Sequence, residues 1–123
     1  MAFDRDELYR LAAGLLRALQ DGDPAGLSAF GVSRAMYEEI TEELEHSGEQ
    51  LAHLSMPPCE IAGQADRTGR VALDIYPLQA DPHTLRMACQ LWSKGQKTEL
   101  TLIADYREQQ RQAALTFRLL ETQ

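Results

Sequence analysis

The sequence predicts an α+β fold in which N-terminal helices pack on a curved antiparallel sheet of four to five strands. Three observations predict it. Apolar residues recur every three to four positions as far as residue 56, and they alternate with polar residues in the stretches beyond Cys59. The connections between the alternating runs are short, which favours an antiparallel meander, because parallel neighbours need crossovers of about a dozen residues or more.

The first helix is expected over Asp6–Gln20. Leu8, Leu11, Ala12, Leu15, Leu16 and Leu19 form one amphipathic stripe, with acids before it and Gly22 after it as a stop. Asp23-Pro24 reads as an N-cap followed by proline at the first helical position. It opens a short helix that ends near Phe30, with Leu27 and Phe30 inward. Ser33 caps a third helix whose inward positions are Met36, Tyr37, Ile40 and Leu44 and whose outer face is almost all glutamate. Ser47-Gly48 ends or kinks it, and Met56-Pro57-Pro58 closes the helical half.

Four alternating runs follow. Their expected inward residues are Val71, Leu73 and Ile75; Leu85, Met87, Cys89 and Leu91; Leu100, Leu102, Ala104 and Tyr106; and Ala113, Leu115, Phe117 and Leu119. Turn chemistry lies at Asp66–Gly69, Ala80–His83, Ser93–Gln96 and Arg107–Gln110. The chain is expected to form one domain over 1–123, with a helical half at 1–56 and a sheet half at 59–122. Its 123 residues, 44% of them hydrophobic, suffice for one core.

The net charge of −7 is unevenly distributed. Residues 1–52 hold eleven acids against four bases, whereas residues 53–123 hold eight of each sign. Phosphate binding needs a basic footprint, so this balance argues against nucleic acid and favours a basic protein partner. No run approaches the roughly 18 apolar residues of a membrane span, and no basic segment leads into an apolar stretch at Met1–Glu7. A cytoplasmic protein without a membrane role is expected. Cys59 and Cys89, both in apolar-patterned segments, are expected as free thiols that behave as small hydrophobes.

The run Leu15-Leu16-Arg17-Ala18-Leu19-Gln20-Asp21-Gly22-Asp23-Pro24-Ala25-Gly26-Leu27, with Leu91-Trp92 and Thr98-Glu99-Leu100-Thr101-Leu102, resembles the nuclear-transport-factor-like (cystatin-like) superfamily. The resemblance implies an amphipathic helix packed into a curved sheet to form a cone. Residues 31–52 read as helix where many members place a strand and then a helix. Some members catalyse isomerisation or dehydration inside the cone and others only bind partners, so the fold alone implies little about function.

Glu38, Glu42, Glu45 and Glu49 run along one helical line, and Glu39 and Glu43 along its neighbour. Like charges four apart cost roughly 0.2–0.5 kcal/mol per pair, and only Arg34, opposite Glu38, relieves them. A surface that meets a cationic partner accounts for this pattern, and so does a plainly solvated face. His46, His53 and Cys59 lack the spacing of a metal site, no cofactor is implied, and His83 reads as a turn residue. Asp74, Glu99 and Asp105 are expected outward, which leaves the hydroxyls of Tyr37, Tyr76 and Tyr106, more simply read as core, to reach a cavity.

The expected function is therefore a non-enzymatic acidic inhibitor that occludes a basic partner. Immunity proteins of bacterial competition systems, which neutralise a toxin, share its size and charge. The expected partner-binding residues are Glu38, Glu39, Glu42, Glu43, Glu45 and Glu49, with Tyr37 or Trp92 as apolar anchors. The alternative is a cone-shaped small-ligand protein or an isomerase- or dehydratase-like enzyme, with Tyr76, Asp74 and Trp92 lining its pocket. A homodimer is a third reading.

Overall fold

Asp4 opens the first helix, its carboxylate accepting hydrogen bonds from the backbone N–H groups of Asp6 and Glu7. In the computed structural model, which describes residues 4–109 and 112–122, helix α1 runs Arg5–Asp21 and ends at Gly22 with φ of 66°. Asp23 caps α2 (Pro24–Ala29) through the Gly26 N–H, and Ser33 caps α3 (Arg34–Ser47) through the Met36 N–H. Between them Gly31 has φ of 74°, and a Cβ there would lie 3.0 Å from the Thr116 methyl, so any other residue would be strained. Replacing Ser33 with alanine removes one cap. It is expected to lower stability by about 1 kcal/mol, read as a lower urea midpoint with unchanged slope.

A one-turn 3₁₀ helix at Leu51–His53 leads into β1 (Leu54–Ser55). The remaining strands are β2 (Leu73–Pro77), β3 (Leu85–Ser93), β4 (Gln96–Gln109) and β5 (Gln112–Thr122). They form a curled antiparallel sheet in which β2, β3, β4 and β5 follow as a meander. β1 also pairs with β3, at Leu54–Ser93 and Ser55–Trp92, so β1 and β2 share one edge of β3 end to end. The expected α+β class and four- to five-stranded antiparallel sheet are what the chain forms.

One core joins the two halves. Leu8, Ala12, Leu15, Leu16 and Leu19 of α1 pack against the inner residues of the sheet, Met87, Cys89, Leu91, Leu100, Leu102 and Ala104, all essentially without solvent exposure. Hydrogen bonds fix α1 along its length. Arg5 donates to the Leu73 carbonyl, Tyr9 to the Pro57 carbonyl, and Gln20 to the carbonyls of Leu51 and Leu54. Of the four residues expected inward on α3, Ile40 and Leu44 are buried, and Met36 and Tyr37 are half-buried beside them.

Several expectations are corrected. Leu119 was expected inward and is 42% exposed, whereas Leu120 is buried. The cause is a β-bulge: Ile103 pairs with Leu119 and Ala104 with Phe117, so Arg118 is an extra residue that inverts the alternation beyond it. Cys59 is exposed because residues 59–64 form turns that bury Ala62 only, while Cys89 is buried as expected. Val71 makes a single bridge to Ala65 and is half-buried instead of belonging to a strand. Of the expected turn Arg107–Gln110, the first three residues continue β4, and Gln110 lies outside the described residues.

Candidate functional site

The phase of α3 is set by its cap at Ser33 and by Ile40 and Leu44, which insert into the core. That phase leaves Glu38, Glu39, Glu42 and Glu45 exposed. Arg34 lies 3.5 Å from Glu38, but their side chains are 94% and 66% exposed, so the pair contributes little. Glutamates in the last turns also meet the negative end of the helix dipole, which is unfavourable by up to about 1 kcal/mol. The acidic face therefore carries repulsion that folding does not require.

Two of the expected acids lie elsewhere. Glu43 is half-buried and accepts a hydrogen bond from the Thr122 hydroxyl, which ties α3 to the end of β5. Glu49 leaves the ridge because Gly48, with φ of 78°, ends the helix before it. It lines a groove with Lys94 and Lys97 at the β3–β4 turn.

The expected aromatic anchors are likewise divided. Tyr37 donates its hydroxyl to the Leu19 carbonyl. Its ring then lines a hollow of about 360 Å³ with Pro24, Leu27, Val32 and Arg34, beside the first turn of α3. Trp92 lies on the outer face of the sheet, half-buried, in the wall of a cavity of about 200 Å³ that no α3 residue lines. It is not part of the acidic surface.

Asp74 and Tyr76, named for a ligand pocket, are both exposed on β2 and do not line that cavity. Inside the sheet, leucines of α1 occupy the place where a cone would hold its ligand. His46, His53 and His83 are exposed, and burial pushes the Cys89 thiol up to about 12.

Asp105 lies on the outer face, as its register requires, yet it is only 2% exposed. Arg86, opposite it on β3, donates from Nε at 2.8 Å to Oδ1 and from Nη2 at 3.2 Å to Oδ2. Arg118, the extra residue of the bulge, donates from Nε at 2.6 Å to Oδ2. Burial alone would raise the Asp105 pKa, but the hydrogen bonds from Arg86 and Arg118 outweigh it and hold the carboxyl below its ordinary range. Alternation identified the face but not the burial, because two long side chains, one placed by a bulge, create it.

Of the three residues named for a ligand pocket, Trp92 alone lines the outer-face cavity, and the rest of the lining was not anticipated. Part of the cavity wall is the turn segment holding Ile61, Gln64 and Arg70, which has no periodic signal. A tryptophan on the polar register was the clue in the sequence. No helix among the described residues is long and apolar enough to cross a membrane. No family model, curated protein or solved structure matches the chain.

Proposed function

We propose that this chain is a non-enzymatic binding protein that presents the acidic face of α3 to a basic protein partner and inhibits it by occlusion, as an immunity protein neutralises a toxin. The observation that carries the proposal is the state of α3. One side is anchored in the core, and the other keeps Glu38, Glu39, Glu42 and Glu45 exposed with Arg34 as their neighbouring cation. A cationic surface would relieve the repulsion among them and be steered toward them over distances set by salt screening.

The hollow beside Tyr37 supplies the apolar part of such an interface. It adjoins the first turn of α3, so a partner side chain seated on Leu27, Val32 and Tyr37 would bring its basic neighbours to the glutamates. The filled interior of the sheet supports binding at the surface over chemistry within the fold.

The test is affinity capture with the tagged chain from lysate of its source, at low and high salt, beside the variant E38K/E42K/E45K. A basic protein should be retained by the native chain, lost at high salt, and bound at least tenfold more weakly by the variant, a change of about 1.4 kcal/mol. The captured protein's own activity should fall as the native chain is added. Equal retention by the charge-reversed variant would overturn the proposal.

A further inference from the structure

The cavity on the outer sheet face lies between the turn segment 61–72 and the start of β4, and its wall carries three groups suited to an organic anion. The first is Arg70. Its backbone is held in the Asp66–Arg70 turn, where its N–H donates to the Asp66 carboxylate and its carbonyl accepts from the Asp66 N–H. Its guanidinium donates from Nη2 to the Thr101 hydroxyl at 2.9 Å, and among the described residues no carboxylate lies within ion-pair reach of it. Glu121, which faces Thr101 from β5, does not line the cavity.

The contrast with Lys97 sharpens the point. Lys97 lines the same cavity but lies 2.8 Å from Asp66, whose carboxylate also accepts from Thr68 and Arg70. These bonds, led by that from Lys97, hold Asp66 far below the usual carboxylate range. One of the two cations is therefore neutralised, and Arg70 keeps its charge and its remaining donors. The second group is Trp92, whose ring lines the cavity and whose indole Nε1 is buried with no hydrogen-bond partner among the described residues. The third is the apolar lining of Ile61, Ala65 and Ala72 around the indole ring.

We infer that this cavity is a binding site for a compact organic monocarboxylate, with Arg70 taking the carboxylate and Trp92 and Ile61 enclosing its apolar body. A volume of about 200 Å³ holds one molecule of the size of benzoate and is below that of drug-sized sites. The planar guanidinium suits a carboxylate because it offers paired donors in one plane. The site is separate from the acidic face of α3 and does not depend on it.

Trp92 is the lone tryptophan, so its indole N–H gives one cross-peak in a 1H–15N spectrum of the native chain. Benzoate should shift that peak saturably, and the uncharged isostere benzamide should bind at least tenfold more weakly. Arg70→Gln should weaken benzoate at least tenfold. Because Arg70 also holds Thr101, a second variant leaves it in place: Gln64→Glu, at an exposed turn position, sets a carboxylate in the wall to compete for Arg70 and should weaken benzoate by the same factor. A benzoate shift that is absent or unsaturable, equal binding of benzamide, or unchanged affinity in Gln64→Glu would overturn the inference.

Discussion

Replacing Leu15 with alanine is expected to destabilise the protein by about 3–4 kcal/mol, within the range of roughly 2–5 for buried leucines. Leu15 has no exposed surface and lies at the middle of the α1 stripe that fills the sheet. Its removal leaves a void between two rigid layers, α1 held at both ends by hydrogen bonds and a sheet held by its ladders, so little collapse can offset the loss. The thermal midpoint should fall by about 10–15 °C for a chain of this size. A volume-conserving change to methionine should cost less than about 1.5 kcal/mol. Urea midpoints at constant slope measure both. A loss under about 1 kcal/mol for alanine would mean that α1 covers the sheet loosely and does not fill it.

The second large effect is expected at Asp105. Its carboxylate is clamped by Arg86 and Arg118, whose side chains are 31% and 53% exposed. Breaking a fully buried pair costs about 3–5 kcal/mol. Here the arginines can regain some water, so Asp105→Ala should cost about 2–3 kcal/mol, with Asp105→Asn close behind because it loses the charge but keeps the shape. The pH dependence has a definite sign. The native pKa is depressed, so the contribution of Asp105 is fully present above the unfolded value of about 3.9 and is lost as pH falls through the lower native value. Urea midpoints of the native chain and Asp105→Asn should therefore differ at pH 7 and 5 and converge below pH about 4. A difference that persists undiminished at the acid end would show that the carboxylate does not act through its charge.

The helices were legible because their signals are local. A 3.6-residue period, three capping side chains at Asp4, Asp23 and Ser33, and left-handed glycines at Gly22 and Gly48 each act within a few residues of chain. Strands β3 and β4 were legible from alternation. The same rule failed at Leu119, since one extra residue at Arg118 reverses every later side chain and nothing in the run from Gln112 to Thr122 marks it. The acidic face of α3 was legible for Glu38, Glu39, Glu42 and Glu45. It was overextended to Glu49, because a helix line was continued past the glycine that ends the helix. Tyr37 and Trp92 were named as alternative anchors, and the fold places Trp92 on the outer sheet and Tyr37 at the α2–α3 hollow. Arg70 was not singled out, because its significance depends on a turn that brings it over β3 to Thr101.

The way the sheet is bordered has a consequence for self-association. An exposed strand edge invites pairing with another chain and is the usual seed of fibrous aggregates. One border here is divided between β1, of two residues, and β2, of five residues ending in Pro77, so neither offers a long run of unpaired backbone. At the other border the Phe117 N–H of β5 is bonded to the Phe30 carbonyl at 2.8 Å, and Thr122 is held by Glu43. The β1–β2 border is therefore a poor template for another strand, and conditions that free the α2–α3 region from β5 should expose more of the opposite edge and promote aggregation.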